Sequence, residues 1–400
     1  MYNKVEVKEM KILSVNAGSS TLKFSLFELP ENVELISGNF EKIGIGNSFY
    51  SVKINGETLK REVDLKDHSV AVKYLMEELV ENKVIDSLDD LDGVGHRMVH
   101  GGQKFAKSVL ITDEVIEACE ECVEFAPLHN PANLMGVRAF KDALPNTPQV
   151  AVFDTAFHQT MSEVEYLYAG PYEWYEKYGV RKYGFHGTSH RYINKTISEV
   201  LGRDDLKVIN CHIGSGASVC AIDSGKSVST SMGFTPLTGV MMGTRSGDID
   251  PSIIPFVMKK ENKTFDQVID DLNKRSGLLG ISGVSPDSRD IEAGMDEGNE
   301  RCILANVKLS QTVANYIAMY NNLLGGADVI TFTAGLGERS IITRQHIIEK
   351  IASLGVKLDE EANQIRAELA LISTDDSKIP VYVVPTNEEL PPVSEEDIPP

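Results

Sequence analysis

Residues 11–27 read KILSVNAGSSTLKFSLF, and the order of apolar and polar positions falls into two halves. Ile12-Leu13-Ser14-Val15 is a short apolar run that stops at Asn16-Ala17-Gly18-Ser19-Ser20-Thr21. From Leu22 to Phe27 the residues alternate with period two, as in a half-buried strand. The pattern predicts a β-hairpin whose tip offers backbone N–H groups and hydroxyls. Phosphate oxygens want several donors at close approach with no side chain in the way, so such a tip suits them, although an ordinary polar hairpin explains one copy as well. A second copy shifts the balance. Lys207–Asp223, KVINCHIGSGASVCAID, repeats the layout around Gly214-Ser215-Gly216, and duplication of a phosphate clamp implies two similar domains serving one nucleotide.

Between and after the hairpins the same patterning predicts further elements. Strands are expected over Val33–Phe40, Phe49–Ile54 and Leu59–Val63, with Asn55-Gly56 as a hairpin turn. Helices are expected from Ser69 to Asn82, from Thr112 to just before Pro127, and from a capping Asn130 followed by Pro131 to Leu144. Gln149–Phe153 reads as a buried strand that delivers Asp154 to its C-terminal end, where open α/β sheets place their chemistry. An aromatic and glycyl stretch, Tyr166–Arg191, follows. Met232–Pro251 lacks helix or strand pattern; a long glycine-rich loop of this kind is usually functional, and Arg245 and Asp248 are its charged groups. Ser276–Asp290 reads as another polar turn and Cys302–Leu324 as a long helix. Val329–Arg339 reads as a strand entering a glycine loop and a helix, a reasonable nucleotide contact. Helices over Thr343–Leu354 and Asp359–Ile372 and a strand over Val381–Val384 complete the series. Met1–Met10 reads as a charged leader without structure, and the proline-rich, acidic 391–400 as a mobile tail.

The sum is an α/β chain of two similar domains, 1–155 and 156–385, with 386–400 free to return to the first. A glycine-rich active-site cleft is expected between them, as in the sugar kinase, Hsp70 and actin (ribonuclease H-like) superfamily. No Walker loop and no protein-kinase motif set occurs.

Composition narrows the function. Four hundred residues suffice for two cores, and a formal charge of −20 argues against nucleic-acid or anionic-membrane partners. An anionic substrate must then be drawn in locally, which singles out Arg97 in DGVGHRMVHGG, although a surface arginine is the commoner reading of that segment alone. No apolar run is long enough for a membrane span and no signal core is present, so a cytoplasmic protein is expected. Five cysteines without framework spacing agree with a reducing compartment, and Cys119-x-x-Cys122 lies on an apolar helix face and reads as core packing rather than a zinc site.

The motifs NAGSSTLKF, GHRMVHGG, FAPLHNPAN, VFDTAFH, YGFHGTSH, HIGSGASV, MGTRSGDIDP, GVSPDSRD, FTAGLGER and PTNEEL, in this order from about residue 11 to 390, resemble the acetokinase family closely. The resemblance implies reversible, in-line transfer of the ATP γ-phosphoryl group to acetate, giving acetyl phosphate and ADP, with Mg2+ (or Mn2+) and a homodimer. It implies that Arg97 and Arg245 hold the carboxylate and the phosphoryl group, that His186 stabilises the transition state, and that Asp154 is the catalytic aspartate. It assigns Asn16 and Glu388 to the metal, and Val99, Leu128, His129 and Pro236 to the substrate. Lys23, His212, Gly214, Ser215, Gly216, Asp287, Ser288, Arg289, Gly335, Leu336, Gly337 and Arg339 fall to the nucleotide. Because acetate is already ionised near neutral pH, Asp154 is expected to organise an arginine or a metal-bound water rather than to act as a base. The chain departs from the family at Ser215 and Arg339, each commonly asparagine, and at Leu390-Pro391-Pro392, where a continuing helix is replaced by proline. Two other readings stand beside this one. Propionate kinase differs by one methylene, against which Val99 argues because alanine is typical there; a non-catalytic nucleotide switch would not need two cleft arginines and a histidine.

Overall fold

The computed structural model describes residues 9–127 and 129–386, which separate into one unit ending at Ala156 and a second, Phe157–Thr386. The calls made on residues 1–8, Leu128, Glu388 and 391–400 lie outside the described residues.

The first unit is built on an eight-stranded sheet. In chain order its strands are β1 (Met10–Ala17), β2 (Thr21–Leu29), β3 (Val33–Glu41), β4 (Phe49–Ile54), β5 (Glu57–Glu62), β6 (Gly93–Met98), β7 (Val109–Leu110) and β8 (Gln149–Phe153), arranged β5-β4-β3-β2-β1-β6-β8-β7. The first five form an antiparallel meander, and β1, β6 and β8 run parallel in the centre. The first hairpin forms as expected, with Asn16 opposite Lys23 and Ala17 opposite Leu22. Helix α1 (His68–Glu81), capped by the Asp67 carboxylate on Val70 N–H at 3.0 Å, and α3 (Asn130–Ala143) pack over the sheet, with α2 (Asp113–Glu121) alongside. Phe24, Phe40, Leu75, Leu79 and Phe140 meet in the main core. Cys119 belongs to a smaller cluster with Met98, Leu134 and Phe153. Burial pushes the Cys119 and Cys122 thiols up to about 12 and about 11, which suits packing rather than metal ligation.

The second unit carries a six-stranded sheet of β9 (Lys207–Ile213), β10 (Ala217–Asp223), β11 (Lys226–Thr230), β12 (Val329–Thr333), β13 (Ala370–Leu371) and β14 (Val381–Val383), in the order β11-β10-β9-β12-β14-β13. Its helices are α4 (Glu163–Tyr166), α5 (Tyr172–Tyr178), α6 (Gly187–Leu201), α7 (Ile253–Glu261), α8 (Phe265–Lys274), α9 (Gly277–Ser282), α10 (Ser288–Asp296), α11 (Glu300–Leu323), α12 (Ala334–Arg339) and α13 (Ile341–Lys350). Helix α6 packs on β9, while α11 packs on both β9 and β10. Cover by these helices accords with the burial of all of β12 and of every residue of β9 after Lys207, the polar Asn210, His212, Thr331 and Thr333 included.

Four expectations need correction. Met10 is not leader but the first residue of β1. Ser276–Asp290 is not a turn: it contains α9 and opens α10, because Gly277, at φ +62°, turns the chain so that Leu278 and Leu279 N–H reach the carbonyls of Met242 and Gly243. Asp359–Ile372 is not a helix but a single 3-10 turn over Ala362–Gln364 followed by β13, with Ala367 at φ +55°. Asn130 is not a cap but the first helical residue of α3, and its side chain is used elsewhere.

Candidate active site

In the first unit the candidate residues gather at the C-terminal ends of β1, β6 and β8, which lie side by side. Arg97, near the end of β6, donates from Nε and Nη2 to Asp154 Oδ1 at 3.2 Å and Oδ2 at 2.5 Å. Asp154 is 2% exposed and the arginine side chain 37%, so the carboxylate is buried behind a guanidinium that faces outward. This two-pronged geometry aligns the guanidinium plane and occupies both carboxylate oxygens. Val99 is buried, with its N–H bonded to Asn133 Oδ1 at 3.0 Å. The same Asn133 donates to Ala17 O at 2.7 Å, while Asn130 holds His100 through its N–H and C=O. A Cβ on Gly136 would lie 2.6 Å from the Ala17 side chain, so only glycine lets α3 come this close to β1. His68 donates to Gly18 O at 2.8 Å and steadies the hairpin tip. Asn130, Asn133 and His68 position the site from behind, and the sequence carried no signal for them beyond the Asn-Pro helix start. Asn16 is half-buried, Lys23 is exposed, and His129 is exposed where α3 begins.

In the second unit the Gly214-Ser215-Gly216 tip closes through Gly214 N–H to Gly216 O at 3.0 Å. Four groups converge on it. His186 stands at φ +59° immediately before α6, and its ring lies 4.2 Å, centroid to centroid, from that of His212. His212 Nδ1 is bonded to Ser189 Oγ at 2.8 Å. Gly243 N–H reaches Ser215 O at 3.1 Å, tying the 232–251 loop to the hairpin. Arg245 lies in that loop, with only weak contacts to Pro236 O (3.5 Å) and Met242 Sδ (3.7 Å). It has no ion pair among the described residues, and burial lowers its pKa. A methyl built on Gly216 would lie 3.4 Å from Arg245 Nη1 and 3.5 Å from His186 Nε2, so backbone, guanidinium and imidazole share one small space. Asp248 pins the loop instead of facing that space: its carboxylate accepts from Gly239 N–H at 2.8 Å and Tyr316 OH at 2.6 Å.

Two further turns adjoin. Pro286 O lies 3.1 Å from where a Gly243 Cβ would stand, placing the Asp287 turn beside the loop. Asp287 caps α10, and its bond to the Arg289 guanidinium holds its carboxyl down to about 2; Ser288 is the first residue of α10. At the end of β12 the chain enters α12 with Ala334 at φ +64°, and nothing stands within 4 Å of a Cβ on Gly335. Gly335 and Arg339 are exposed, whereas Leu336, Gly337 and Glu338 are buried. Buried Glu338 accepts from Ala334 N–H and Thr386 N–H, both at 2.8 Å. Arg344, fully buried and without an ion pair among the described residues, donates to the carbonyls of Gly337, Glu338, Asn363 and Ile365 and to Asn363 Oδ1. Burial pulls its pKa down to about 10. Its partner Asn363 lies in the stretch expected to be helical.

Asn16 offers one neutral oxygen, and no cluster of three or more His, Cys, Asp or Glu side chains exists among the described residues. A divalent ion that keeps several waters and takes nucleotide phosphates would suit a donor such as Asn16.

Residues 11–393 match the acetokinase family. The chain is 53% identical over 382 residues to the acetate kinase of Bacillus velezensis, covering 95% of this chain and 97% of the relative. The crystal structure of Porphyromonas gingivalis acetate kinase superposes with a TM-score of 0.92 at 45% identity, covering 96% and 98% of the two chains. A propionate kinase from Francisella tularensis superposes with a TM-score of 0.91 at 39% identity and the same coverage.

Proposed function

As a member of the acetokinase family the chain is a phosphotransferase that acts on acetate, and we propose how its own residues divide the work. The observation that carries the proposal is Arg245, a partly desolvated guanidinium without an ion pair among the described residues, beside a side-chain-free hairpin tip and His186. An unpaired cation in such a place needs an anion, and the phosphoryl group in transfer is one.

In the second unit, Arg245, His186 and the Gly214–Gly216 backbone neutralise charge on the phosphoryl oxygens as it passes in line between acceptor and ADP. In the first unit, Arg97 takes the acetate carboxylate, held in plane by Asp154. With both oxygens committed to Arg97, Asp154 serves as an organiser, and the ionised acceptor needs no base. His212 supports His186 through ring packing. Lys23 and Ser215 contribute to the phosphates, and the Asp287–Arg289 and Gly335–Arg339 turns to the adenosine, where the open space over Gly335 leaves room for a ligand. Magnesium, or manganese, held by Asn16 together with Glu388, would supply charge neutralisation on the nucleotide phosphates. The assignment of His129, Leu128 and Pro236 to the acyl site, the domain limits at 155 and 385, the homodimer and the cytoplasmic location rest on the family resemblance.

Acetate is favoured over propionate because Val99 fills its pocket where alanine would leave room. The fold itself does not discriminate, since a propionate kinase shares it. A coupled assay of acyl phosphate formation with both acids tests the whole reading. We expect acetate to be the better substrate, and Val99→Ala to raise the propionate-to-acetate ratio of kcat/KM by about tenfold. An unchanged ratio removes Val99 from the acyl pocket; no acyl phosphate from either acid removes the reading altogether.

A further inference from the structure

Behind His186 lies a chain of buried polar side chains with a defined direction. His190, one helical turn along α6, is fully buried and bonded at both ring nitrogens: Nδ1 to Asn210 Nδ2 and Nε2 to Ser218 Oγ, each at 2.8 Å. Asn210 Oδ1 in turn accepts from the Thr331 hydroxyl at 2.8 Å, so its amide nitrogen faces the imidazole. Ser218 Oγ also meets His186 Nδ1 at 2.9 Å. An amide nitrogen can only donate. His190 Nδ1 is therefore the acceptor, and the single proton of the neutral ring sits on Nε2 and points at Ser218. The serine hydroxyl receives that bond and has one proton of its own to give, which goes to His186 Nδ1.

We propose that Asn210, His190 and Ser218 are positioning residues that fix His186 as the neutral tautomer carrying its proton on Nε2, aimed at the space shared with Gly216 and Arg245. The inference rests on the reading of His186 as a phosphoryl-stabilising group. It deepens that reading by naming what makes the ring a donor. The opposite direction along the chain would present a lone pair to an anion, and an imidazolium would leave the Ser218 proton without an acceptor. Desolvation, with His158 and His212 nearby, pushes the His190 pKa well below its ordinary value and keeps that ring neutral. Among the described residues, the charged or titratable groups around His186 include His212 from β9, Arg245 from the 232–251 loop and, through Ser218, His190 from α6. The scaffold is rigid. Asn210 and Ser218 sit on the paired strands β9 and β10, and His190 N–H bonds to His186 O at 2.9 Å.

The test uses the full-length protein with 15N-labelled histidine, first without substrate and then in steady-state turnover. In the wild type, the His186 ring is expected as the neutral Nε2–H form at pH 7. Ser218→Ala is expected to lower kcat roughly tenfold, the scale of losing a group that orients a functional ring from behind, with KM for acetate and ATP within about twofold. In that variant His186 should show mixed tautomers and take up a proton at higher pH than in the wild type. His190→Gln, whose amide can still donate to Ser218, should keep the Nε2–H form and lose less kcat than Ser218→Ala. A wild-type ring found as Nδ1–H or as imidazolium at pH 7 overturns the proposal, even if no variant folds. So does a Ser218→Ala protein whose His186 tautomer is unchanged. Failure of the wild type to form acetyl phosphate would instead sink the functional reading, because the tautomer is read without substrate.

Discussion

Each unit presents a candidate site guanidinium, and the two are furnished in opposite ways. Arg97 stands at the end of a parallel strand with a buried carboxylate bonded to two of its nitrogens. Arg245 stands in a loop, partly desolvated, with a thioether and a distant carbonyl as its hydrogen-bond partners among the described residues. A paired arginine is oriented before any ligand arrives and its charge is largely offset, which suits recognition of a small, fixed carboxylate. An arginine held partly out of water without a counter-charge keeps its field for whatever anion enters, at a cost to local stability that functional sites commonly carry. In a chain of net charge −20, that local field is what can draw in a phosphate.

The sharpest way to break the comparison is Arg245→Lys. An ammonium cannot span two phosphoryl oxygens, and kcat should fall by about three orders of magnitude while the thermal midpoint stays constant or rises slightly; near-normal turnover would remove Arg245 from the chemistry. Next comes Asp154→Asn, which turns Arg97 into an arginine without a counter-charge. Here kcat/KM for acetate should drop about a hundredfold through misalignment, and a double-mutant cycle with Arg97→Ala should be strongly non-additive. Additive losses would mean that Asp154 acts on its own. Gly216→Ala should cost about tenfold in kcat with a midpoint shift of no more than a few degrees. Its methyl fits at 3.4–3.5 Å from Arg245 and His186 yet occupies the space they share. Full activity would place the phosphoryl path elsewhere.

The smallest effect is on stability. Burial lowers the pKa of His96 and of His100, both in the first unit, to about 4. Unfolded, these rings titrate near 6.5, so the unfolded chain binds protons first. The stability they contribute is complete above pH 6.5 and is lost as pH falls toward 4. His96→Gln should flatten that loss by on the order of 1–3 kcal/mol between pH 7 and 5, followed by the thermal midpoint at each pH; an equally steep loss in the variant would count against it.

What could be read from the chain in advance follows from the range of the forces involved. Both hairpins, the meander, α1 and α11 are set by local alternation, caps and turn residues, and they stand within a residue or two of expectation. The Asp359–Ile372 segment looked helical because its apolar spacing is locally sound. Arg344 overrides it by recruiting Asn363 and Ile365 from nearly twenty residues away, and β13 by pairing with β14. Ser276–Asp290 failed in the opposite sense, since glycines that read as turn residues serve a close helix–loop contact. The candidate cations, carboxylate and glycines were legible as types in motifs. Asn130, Asn133, His68, Ser218 and His190 were not, because their work consists of single hydrogen bonds to partners that only the folded chain brings near.

Arg344 has a mechanical consequence. Its five donated bonds rivet the end of α12 to the 363–365 turn, and the side chain that makes them is fully buried. Helix α12, which carries Gly335–Arg339, is therefore not free to swing as a separate flap. Any motion that grips or releases what lies against it must carry α12, α13 and the segment beyond them as one block, and the compliance has to be found elsewhere in the chain.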